Sequence, residues 1–382
     1  MRVLFSSAPL YGHLLPMMPL ARAFAARGHV VGVLTAASGV PAVEPEGFEL
    51  LVAGPSTEEV ITESVRATGA DPRLRDGKNS DAYLFGGARV DLAAEASLAA
   101  TAEWKPDLVV HEIVDCVGPL VAAAQGVPCV VFGMISLPPT GSTEAVAEVA
   151  ASRFADRGLR REPALRYVDS CPPSLNYADR RPPAERLLIR PVAHSRPGSA
   201  AATPARADRP TALVTFGTVS QYFTNPAELS ALIRALDGVD VVVTLGPDGR
   251  EADFDVDRDR VRFTSFAPLD ELLVGVDVVV THGGAGTTFA ALGHGIPLVV
   301  LPKGADHPRQ ADRVSALGAG LALVGDEATP SAVAAAVTRC LTEPEFRANA
   351  VLVGREIAAM PSPDEVAATL ETLVAADRHA TP

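Results

Sequence analysis

Residues 282–288, HGGAGTT, combine a histidine, three glycines and two threonines after an apolar run. Glycines let the backbone approach an anion closely, and free N–H groups at the start of a helix favour negative charge. His282, Thr287 and Thr288 can donate further hydrogen bonds to phosphate oxygens. The segment therefore predicts a phosphate site, and the alternative is a tight turn beside a core histidine. A dinucleotide fingerprint fails, because Phe289 occupies its third glycine position.

A second histidine, His13, lies in the loop YGHLLP between a first strand and a helix. Neutral imidazole is the usual general base near pH 7, although a single histidine is more often structural. Glu112 and Asp115 end another strand, and a carboxylate bonded to the far ring nitrogen would orient the imidazole. Either acid could instead cap the next helix, an alternative that fits Asp115 best.

Two further acidic segments could bind a ligand. Asp306, in LPKGADHPRQADRV, follows a strand and precedes a helix. It could accept hydrogen bonds from the hydroxyls of a polyol, or serve as a charge at the helix N-terminus. Residues 253–260, DFDVDRDR, resemble the DxD metal motif. Because this run carries its own arginines between two strands, a solvated loop is favoured and no metal site is predicted.

The order of elements predicts two similar α/β halves. A strand at residues 3–6, an amphipathic helix and the strand HVVGVLT form a βαβ unit, and further strands and helices follow up to residue 133. Residues 180–210 are rich in Pro, Ala and Arg, which is typical of a linker. Alternation resumes with TALVTFGT, DVVVTLG, RVRFTSF, VDVVVTHG and IPLVVLP. Ligands of such sheets bind outside the carboxyl ends of the strands.

We therefore expect an α/β fold with two facing Rossmann-like domains, parallel sheets and an interdomain cleft. The expected boundaries are an N-terminal domain at residues 1–185, a linker at 186–210 and a C-terminal domain at 211–355. A last helix at 356–382 is expected to pack back on the N-terminal domain. A length of 382 residues agrees with two domains, since one core rarely grows that large.

Composition excludes several classes of protein. Hydrophobic residues make up 48% and charged residues 21%, as in a globular protein, and a net charge of −13 disfavours nucleic acid as a partner. No apolar run reaches the ~20 residues of a membrane-spanning helix, so we expect a cytoplasmic protein without stable membrane insertion. The cysteines have no CxxC pairing and are expected to be packing residues: Cys116, Cys129, Cys171 and Cys340.

The two motifs together resemble a known family, the GT-B fold glycosyltransferases of family 1 that decorate bacterial natural products. GHLLPMMPLARAFAARGHVV is similar to the opening pattern of the family, GH..P...LA..L..RGH.V. HGGAGTTFAALGHGIPLVVLPKGADHPRQADRV is similar to its donor-site pattern of histidine, two glycines, any residue, glycine and threonine, followed by G.P.V..P...DQ..NA. The resemblance covers almost the whole chain, including the linker and the domain order.

The resemblance implies a role for each candidate residue. His13 would deprotonate the acceptor hydroxyl, Glu112 would pair with it, and Asp115 remains the alternate partner. The loop FGT would lie near the pyrophosphate, FAPLDELL would frame the nucleobase, HGGAGT would hold the diphosphate and Asp306 would bind sugar hydroxyls. The implied donor-binding set is Gly217, Thr218, Phe266, Pro268, Leu269, His282, Gly283, Gly284, Ala285, Gly286, Thr287, Asp306 and His307.

The chain departs from the family pattern at two positions, where the family Asp-Gln pair reads Asp306-His307 and Leu269 replaces a glutamine. Together with a composition typical of a GC-rich genome, these departures favour a dTDP-linked deoxysugar over a UDP-sugar. We expect inversion at the anomeric carbon, an NDP-sugar as co-substrate, no prosthetic group and no metal. A homodimer is left open.

The acceptor is expected to be a small hydrophobic aglycone. Apolar residues near the expected acceptor loops could line its pocket or be ordinary core: Phe85, Phe132, Met134 and Leu137. The identity of the aglycone and the type of glycosidic bond are left open. Two other functions fit the same fold, a nucleotide-sugar 2-epimerase and an inactive nucleotide-binding partner of another transferase.

Overall fold

The computed structural model describes residues 1–71, 80–139, 141–193, 209–217, 225–245, 249–264 and 267–380. Its chain forms two compact units. The first unit contains Met1–Cys171, Tyr177–Arg190 and Pro361–Pro382, and the second contains Pro172–Asn176 and Pro191–Met360. The chain therefore leaves the first unit, builds the second and then returns.

The first unit contains a parallel sheet of seven strands in the order β3-β2-β1-β4-β5-β6-β7. Its strands are β1 (Arg2–Ser6), β2 (Val30–Thr35), β3 (Glu49–Val52), β4 (Leu108–Glu112), β5 (Cys129–Gly133), β6 (Tyr167–Asp169) and β7 (Arg186–Leu188). β1 and β4 are buried along most or all of their length, as expected for a parallel sheet with helices on both faces. Phe5, Val33 and Val110 belong to its core.

Nine α-helices belong to the described part of the first unit. They are α1 (Tyr11–Leu14), α2 (Met18–Ala26), α3 (Val40–Val43), α4 (Thr57–Thr68), α5 (Ser80–Tyr83), α6 (Arg89–Trp104), α7 (Val117–Gln125), α8 (Ser142–Ala155) and α15 (Pro363–Ala380). A π-helix at Leu84–Ala88 joins α5 to α6.

The second unit contains a parallel sheet of six strands in the order β10-β9-β8-β11-β12-β13. Its strands are β8 (Thr211–Thr215), β9 (Asp240–Thr244), β10 (Val261–Thr264), β11 (Val278–Thr281), β12 (Leu298–Val300) and β13 (Gly320–Ala322). Its helices are α9 (Pro226–Ala235), α10 (Leu269–Leu272), α11 (Ala285–Gly293), α12 (His307–Ala316), α13 (Pro330–Thr342) and α14 (Pro344–Ala359). Val214, Val243 and Val280 lie in its core.

Both sheets reverse their strand order at one point, between β1 and β4 in the first unit and between β8 and β11 in the second. Ligands of doubly wound sheets bind at this switch point, outside the carboxyl ends of the strands. His13 follows β1 and Glu112 ends β4, while Gly217 follows β8 and His282 follows β11. The prediction of two Rossmann-like domains with parallel sheets is confirmed, and topology explains why these distant residues meet in pairs.

The last helix, α15, packs on α2 through a stripe of buried apolar side chains: Val366, Ala367, Leu370 and Val374. On its polar side, Glu371 accepts two hydrogen bonds from the Arg27 guanidinium, at 2.6 and 2.8 Å. The Nε2 atom of His29 lies 2.6 Å from the same carboxylate.

Three details differ from the sequence-based expectations. The linker was expected from residue 186, but Arg186–Leu188 forms β7 at the edge of the first sheet. The second unit extends to Met360, beyond the expected residue 355, and it also includes Pro172–Asn176. The sequence does not predict strands β6 and β7, because each has only three residues and lies outside any longer apolar run.

The apolar residues considered for the acceptor pocket divide into two groups. Phe132, Met134 and Leu137 are almost completely buried in the core of the first unit, so the core alternative is correct for them. Phe85 is partly exposed. The four cysteines are buried free thiols. In the described part of the chain, no helix is both long and apolar enough to cross a membrane.

Candidate active site

The side chains of His13 and Glu112 form a close pair in the first unit. The His13 Nδ1 atom lies 3.1 Å from Glu112 Oε1. The carboxylate is completely buried, while the imidazole keeps 21% of its side-chain surface exposed. The second carboxylate oxygen accepts a hydrogen bond of 2.7 Å from the Val114 backbone N–H. The turn that ends β4 therefore holds the carboxylate still, and the other edge of the imidazole remains available to a ligand.

An aromatic ring borders this histidine. Phe85 lies in the π-helix between α5 and α6, and its ring is nearly parallel to that of His13, with 6.2 Å between centroids. Such π-helical turns are frequent at functional sites. Gly86 makes this turn possible, because a Cβ there would lie 2.3 Å from the backbone oxygen of Val146 in α8. The exposed edge of His13 therefore has an apolar neighbour.

Asp115, the alternate partner of His13, has other contacts. Its carboxylate accepts hydrogen bonds from the Ser6 hydroxyl at 2.6 Å and from the Gly118 backbone N–H at 2.9 Å. The Arg89 Nε–H donates to it at 3.0 Å, and both side chains are buried. Although burial acts to raise it, Arg89 and Ser6 hold the pKa of Asp115 below its usual range. Asp115 thus joins the end of β1 to the start of α7, in keeping with the helix-capping alternative.

The turn between β11 and α11 requires glycine at two positions. Gly283 has φ +90°, in the left-handed region that other residues avoid, and a Cβ there would lie 2.7 Å from Val300. A Cβ on Gly284 would lie 2.5 Å from His282 Nε2. Gly284 is the N-cap of α11, and among the described residues no side chain caps the backbone N–H groups of Ala285, Gly286 and Thr287 in the first turn. These groups are suited to bind an anion.

His282 lies beside this turn, in contact with several polar groups. Its ring packs edge-on against that of His307, with 4.5 Å between centroids. Burial, and then His307, lower the pKa of His282 to about 4, whereas Asp306 and a hydrogen bond to the Thr215 backbone act in the opposite direction. The imidazole is therefore neutral near pH 7, and its one N–H is donated to the Thr215 backbone.

Asp306 and His307 begin α12 and differ in exposure. Asp306 is partly exposed at the N-cap, and one of its oxygens lies 3.4 Å from the Gln310 side-chain nitrogen. His307 is buried, and its Nδ1 atom accepts a hydrogen bond of 3.3 Å from the Gly304 backbone N–H. Asp306 can therefore reach a ligand, whereas His307 faces the interior and the ring of His282.

The remaining donor-site candidates lie at two strand ends. Gly217 has φ +71°, and a Cβ there would lie 2.8 Å from the His282 ring, so glycine is needed for this close approach. Pro268 is the N-cap of α10, and Leu269 is its first residue and is partly exposed. Thr218 and Phe266 lie outside the described residues.

The acidic run that resembles a DxD motif forms several ion pairs. Asp253 pairs with Arg250 at 3.0 Å, Asp255 with Arg234 at 2.9 Å and Asp257 with Arg260 at 3.2 Å. Among the residues that the structure describes, no group of three or more His, Cys, Asp or Glu side chains is placed to hold a metal ion. The run is a solvated segment whose aspartates pair with arginines inside and outside it.

Sequence reasoning missed two residues of these sites. Arg89 is 3% exposed and links Asp115 to the backbone oxygen of Ser7, at 2.8 Å. Its only signal in the sequence is an arginine two residues after the glycine pair of the π-helix. Gln310, completely buried behind Asp306, stands where the family pattern has an asparagine. A comparison of the sequence with the family pattern shows this substitution.

The whole chain is similar to curated antibiotic glycosyltransferases. It is 32% identical over 389 residues to the elloramycin glycosyltransferase ElmGT of Streptomyces olivaceus, and the match covers 97% of each chain. It is 34% identical over 397 residues to the L-demethylnoviosyl transferase of Streptomyces niveus, covering 100% of both. Residues 228–373 match the family described as erythromycin biosynthesis protein CIII-like, C-terminal domain.

The fold is similar to that of solved GT-B glycosyltransferases. The glycosyltransferase SsfS6 of a Streptomyces species, in complex with thymidine diphosphate, superimposes with a TM-score of 0.81 at 26% identity, covering 97% of this chain and 99% of that chain. The chain therefore belongs to the EryCIII-like family of GT-B glycosyltransferases in antibiotic biosynthesis. ElmGT, the demethylnoviosyl transferase and SsfS6 are all named as transferases, which leaves no support for an epimerase or an inactive partner.

Proposed function

We propose that this glycosyltransferase moves a deoxysugar from a dTDP-linked donor to a hydrophobic natural-product aglycone with inversion at the anomeric carbon. The proposal rests on one observation: each of the two sheets has a reactive group at its switch point. The first unit presents the His13–Glu112 pair, and the second presents the glycine turn and uncapped helix start beside His282. The acceptor and the donor of a transfer reaction would therefore each have a matching site.

His13 is proposed as the general base. If Glu112 accepts a hydrogen bond from Nδ1–H, the Nε2 atom is left unprotonated and can accept the proton of the acceptor hydroxyl. The acceptor oxygen then attacks the anomeric carbon from the face opposite the diphosphate. The bond from that carbon to the diphosphate breaks, and its electron pair leaves with the diphosphate. Configuration inverts because attack and departure occur on opposite faces.

The donor diphosphate is proposed to bind at the start of α11. The uncapped backbone N–H groups of Ala285, Gly286 and Thr287 would stabilise the charge that develops on the leaving diphosphate. His282 would donate one more hydrogen bond once its second ring nitrogen is protonated, and Asp306 would accept hydrogen bonds from the sugar. Gly217, Pro268 and Leu269, with Thr218 and Phe266, would border the pyrophosphate and the base. The helix start would supply the electrostatic role that a metal has in other transferases, and no metal is proposed.

The nucleotide is proposed to be thymidine diphosphate. The structural relative SsfS6 was solved with this nucleotide. The sugar-facing pair of this chain provides fewer contacts than the usual Asp-Gln pair, because His307 faces the interior. A site with fewer hydrogen-bonding groups suits a deoxysugar. The Phe85 ring beside His13 would contact an apolar acceptor.

Calorimetric titration with dTDP and with UDP, in the presence of EDTA, tests the donor site. We expect dTDP to bind the wild type and to bind His282→Ala about 10–100-fold more weakly, since a hydrogen bond to a charged group contributes about 1.5–3 kcal/mol. His294→Ala is the matched control. His294 is an exposed histidine at the other end of α11, with only a backbone contact to Ala290 described.

Each outcome has a definite meaning. Tighter binding of UDP than of dTDP would replace the thymidine donor by a uridine donor. Loss of binding on addition of EDTA would contradict a metal-free site. No binding of either nucleotide would contradict the proposed donor site altogether.

A further inference from the structure

His282 and His307 form an unusual pair beside the proposed diphosphate turn. The two rings are edge-on, and the Gly304 N–H donates to His307 Nδ1. His282 Nε2 faces the backbone of Gly284, at the N-cap of α11. An imidazole that faces the start of a helix and another imidazole is poorly placed to carry a positive charge while the site is empty.

A bound anion would instead favour the positively charged form of His282. A diphosphate at the start of α11 would place negative charge next to His282 Nε2, and an opposite charge within ~4–6 Å favours the charged form of a titratable group. Among the described residues, the groups that face His282 are His307, Asp306, the backbone of Thr215 and the hydroxyl of Thr281. Of these, Asp306 alone carries a negative charge, so the incoming diphosphate would be the larger change.

We propose that the donor site takes up a proton on His282 when a nucleoside diphosphate sugar binds, and that burial together with His307 keeps His282 neutral in the empty site. This inference rests on the proposed function and adds a property to the same site. The proton comes from solvent and stays on the imidazole during transfer. When the bond between the anomeric carbon and the diphosphate breaks, one more negative charge forms on the diphosphate, next to this cation. His307 is thus a positioning residue that acts through His282.

Proton uptake is measurable by calorimetry in pairs of buffers with different ionisation enthalpies. The probe is dTDP-glucose, whose diphosphate has no group that titrates between pH 5 and 8, whereas a terminal phosphate titrates near pH 6. The empty-site pKa of His282 is about 4, so the free imidazole is neutral over this range. We expect uptake to grow as the pH falls from 8 to 5.5, with affinity rising up to about tenfold per pH unit in that window.

Three variants test whether His282 is the group that takes up the proton. In His282→Asn the uptake disappears, and in His294→Asn it stays at the wild-type value. In His307→Gln the uptake remains, but its midpoint moves to higher pH, because His307 lowers the pKa of His282. A purely structural role of His307 would weaken binding at all pH values without moving this midpoint.

Binding of dTDP-glucose without proton uptake, or uptake that is unchanged in His282→Asn, overturns the inference and leaves the donor site in place. If His282→Asn does not bind, the midpoint in His307→Gln decides: an upward shift supports the coupling, and an unchanged midpoint overturns it. If the wild type binds neither dTDP-glucose nor dTDP, the proposed function fails and this inference fails with it.

Discussion

The two oxygens of the Glu112 carboxylate have separate partners. One lies 3.1 Å from His13 Nδ1, and the other accepts the Val114 backbone N–H at 2.7 Å. A carboxylate fixed in this way can accept from Nδ1–H, and in that neutral tautomer Nε2 is the nitrogen without a proton. The tautomer of His13 is therefore set by the turn that ends β4, rather than by His13 itself.

Glu112→Gln should reduce the rate of glycosyl transfer by about 10²–10⁴-fold, the range in which general base catalysis contributes. The glutamine oxygen can keep the Val114 contact, and its NH₂ group then faces His13 and stabilises the tautomer with the proton on Nε2. That tautomer cannot accept a proton from the acceptor. Single-turnover transfer measures the rate, and dTDP affinity should be unchanged. A variant with nearly wild-type transfer would contradict a base role for this pair.

Asp115→Asn is the matched comparison. It should lower the stability of the first unit, whereas Glu112→Gln should lower the rate of transfer. Loss of this carboxylate leaves the buried Arg89 guanidinium without its charge partner, and breaking a buried pair costs roughly 3–5 kcal/mol. Trp104, the one tryptophan of the chain, lies in the first unit and reports its unfolding by fluorescence. The urea midpoint should fall for Asp115→Asn and change little for Glu112→Gln.

The sequence could place both acids near His13 but could not choose between them. Both follow the same strand, and the choice depends on how the chain turns after Glu112. It also depends on Arg89, which approaches Asp115 from a helix elsewhere in the chain. A partner so distant in sequence leaves no local pattern, so only the folded chain resolves the choice.

The start of α11 combines required and replaceable glycines. Gly283 has a left-handed backbone, and Gly284 contacts the ring of His282. Gly286 has an ordinary helical backbone, is exposed and would accept a Cβ with nothing within 4 Å. Folding therefore does not require glycine at position 286, and the proposed approach of a diphosphate would explain it.

Gly286→Ala should separate stability from binding. Alanine favours the helix over glycine by up to about 1 kcal/mol, so the thermal midpoint should be unchanged or slightly raised. The new methyl group would stand where the diphosphate approaches, and dTDP affinity should fall about tenfold or more, a loss of at least 1.4 kcal/mol. Differential scanning calorimetry and titration with dTDP measure the two effects.

Gly293→Ala, at the last residue of the same helix, is the control. A Cβ there would lie 3.9 Å from Ile357, an ordinary contact, and far along the helix from its start. Stability should respond as for Gly286→Ala, with dTDP affinity unchanged. Equal affinities in the two variants would show that the start of α11 does not bind the nucleotide.

The long strands of both sheets were predictable because their apolar runs alternate with helices and glycine turns. β8, β9 and β11 coincide with runs read from the sequence, and the short β12 lies within the apolar run IPLVVLP. β6 and β7 were not predictable, since each has three residues and no such apolar run around it. The strand order that brings His13 to Glu112, and Gly217 to His282, follows from the general rule for doubly wound sheets.

The first unit is held together by a segment from the far end of the chain. α15 covers α2 with apolar side chains, while Arg27 and His29 contact Glu371. Arg27 most strongly, and then His29, lower the pKa of Glu371 to about 2. A carboxylate with a depressed pKa stabilises the folded state above its unfolded value of about 4.5, and this contribution is lost as the pH falls toward 2.

Glu371→Gln should therefore destabilise the first unit at pH 7 by a few degrees in thermal midpoint. The difference from the wild type should shrink between pH 4.5 and pH 2, where the wild-type carboxylate becomes protonated as well. Trp104 fluorescence follows the transition. A difference that stays constant down to pH 2 would show that the ion pair with Arg27 does not contribute.

The return of α15 to the first unit has a consequence for the order of synthesis. Strands β1–β7 are translated first, but the helix that covers α2 is translated only after every strand of the second unit. Until then the first unit keeps an apolar surface uncovered. Nascent chains stalled before α15 should therefore be the ones that aggregate or recruit a chaperone.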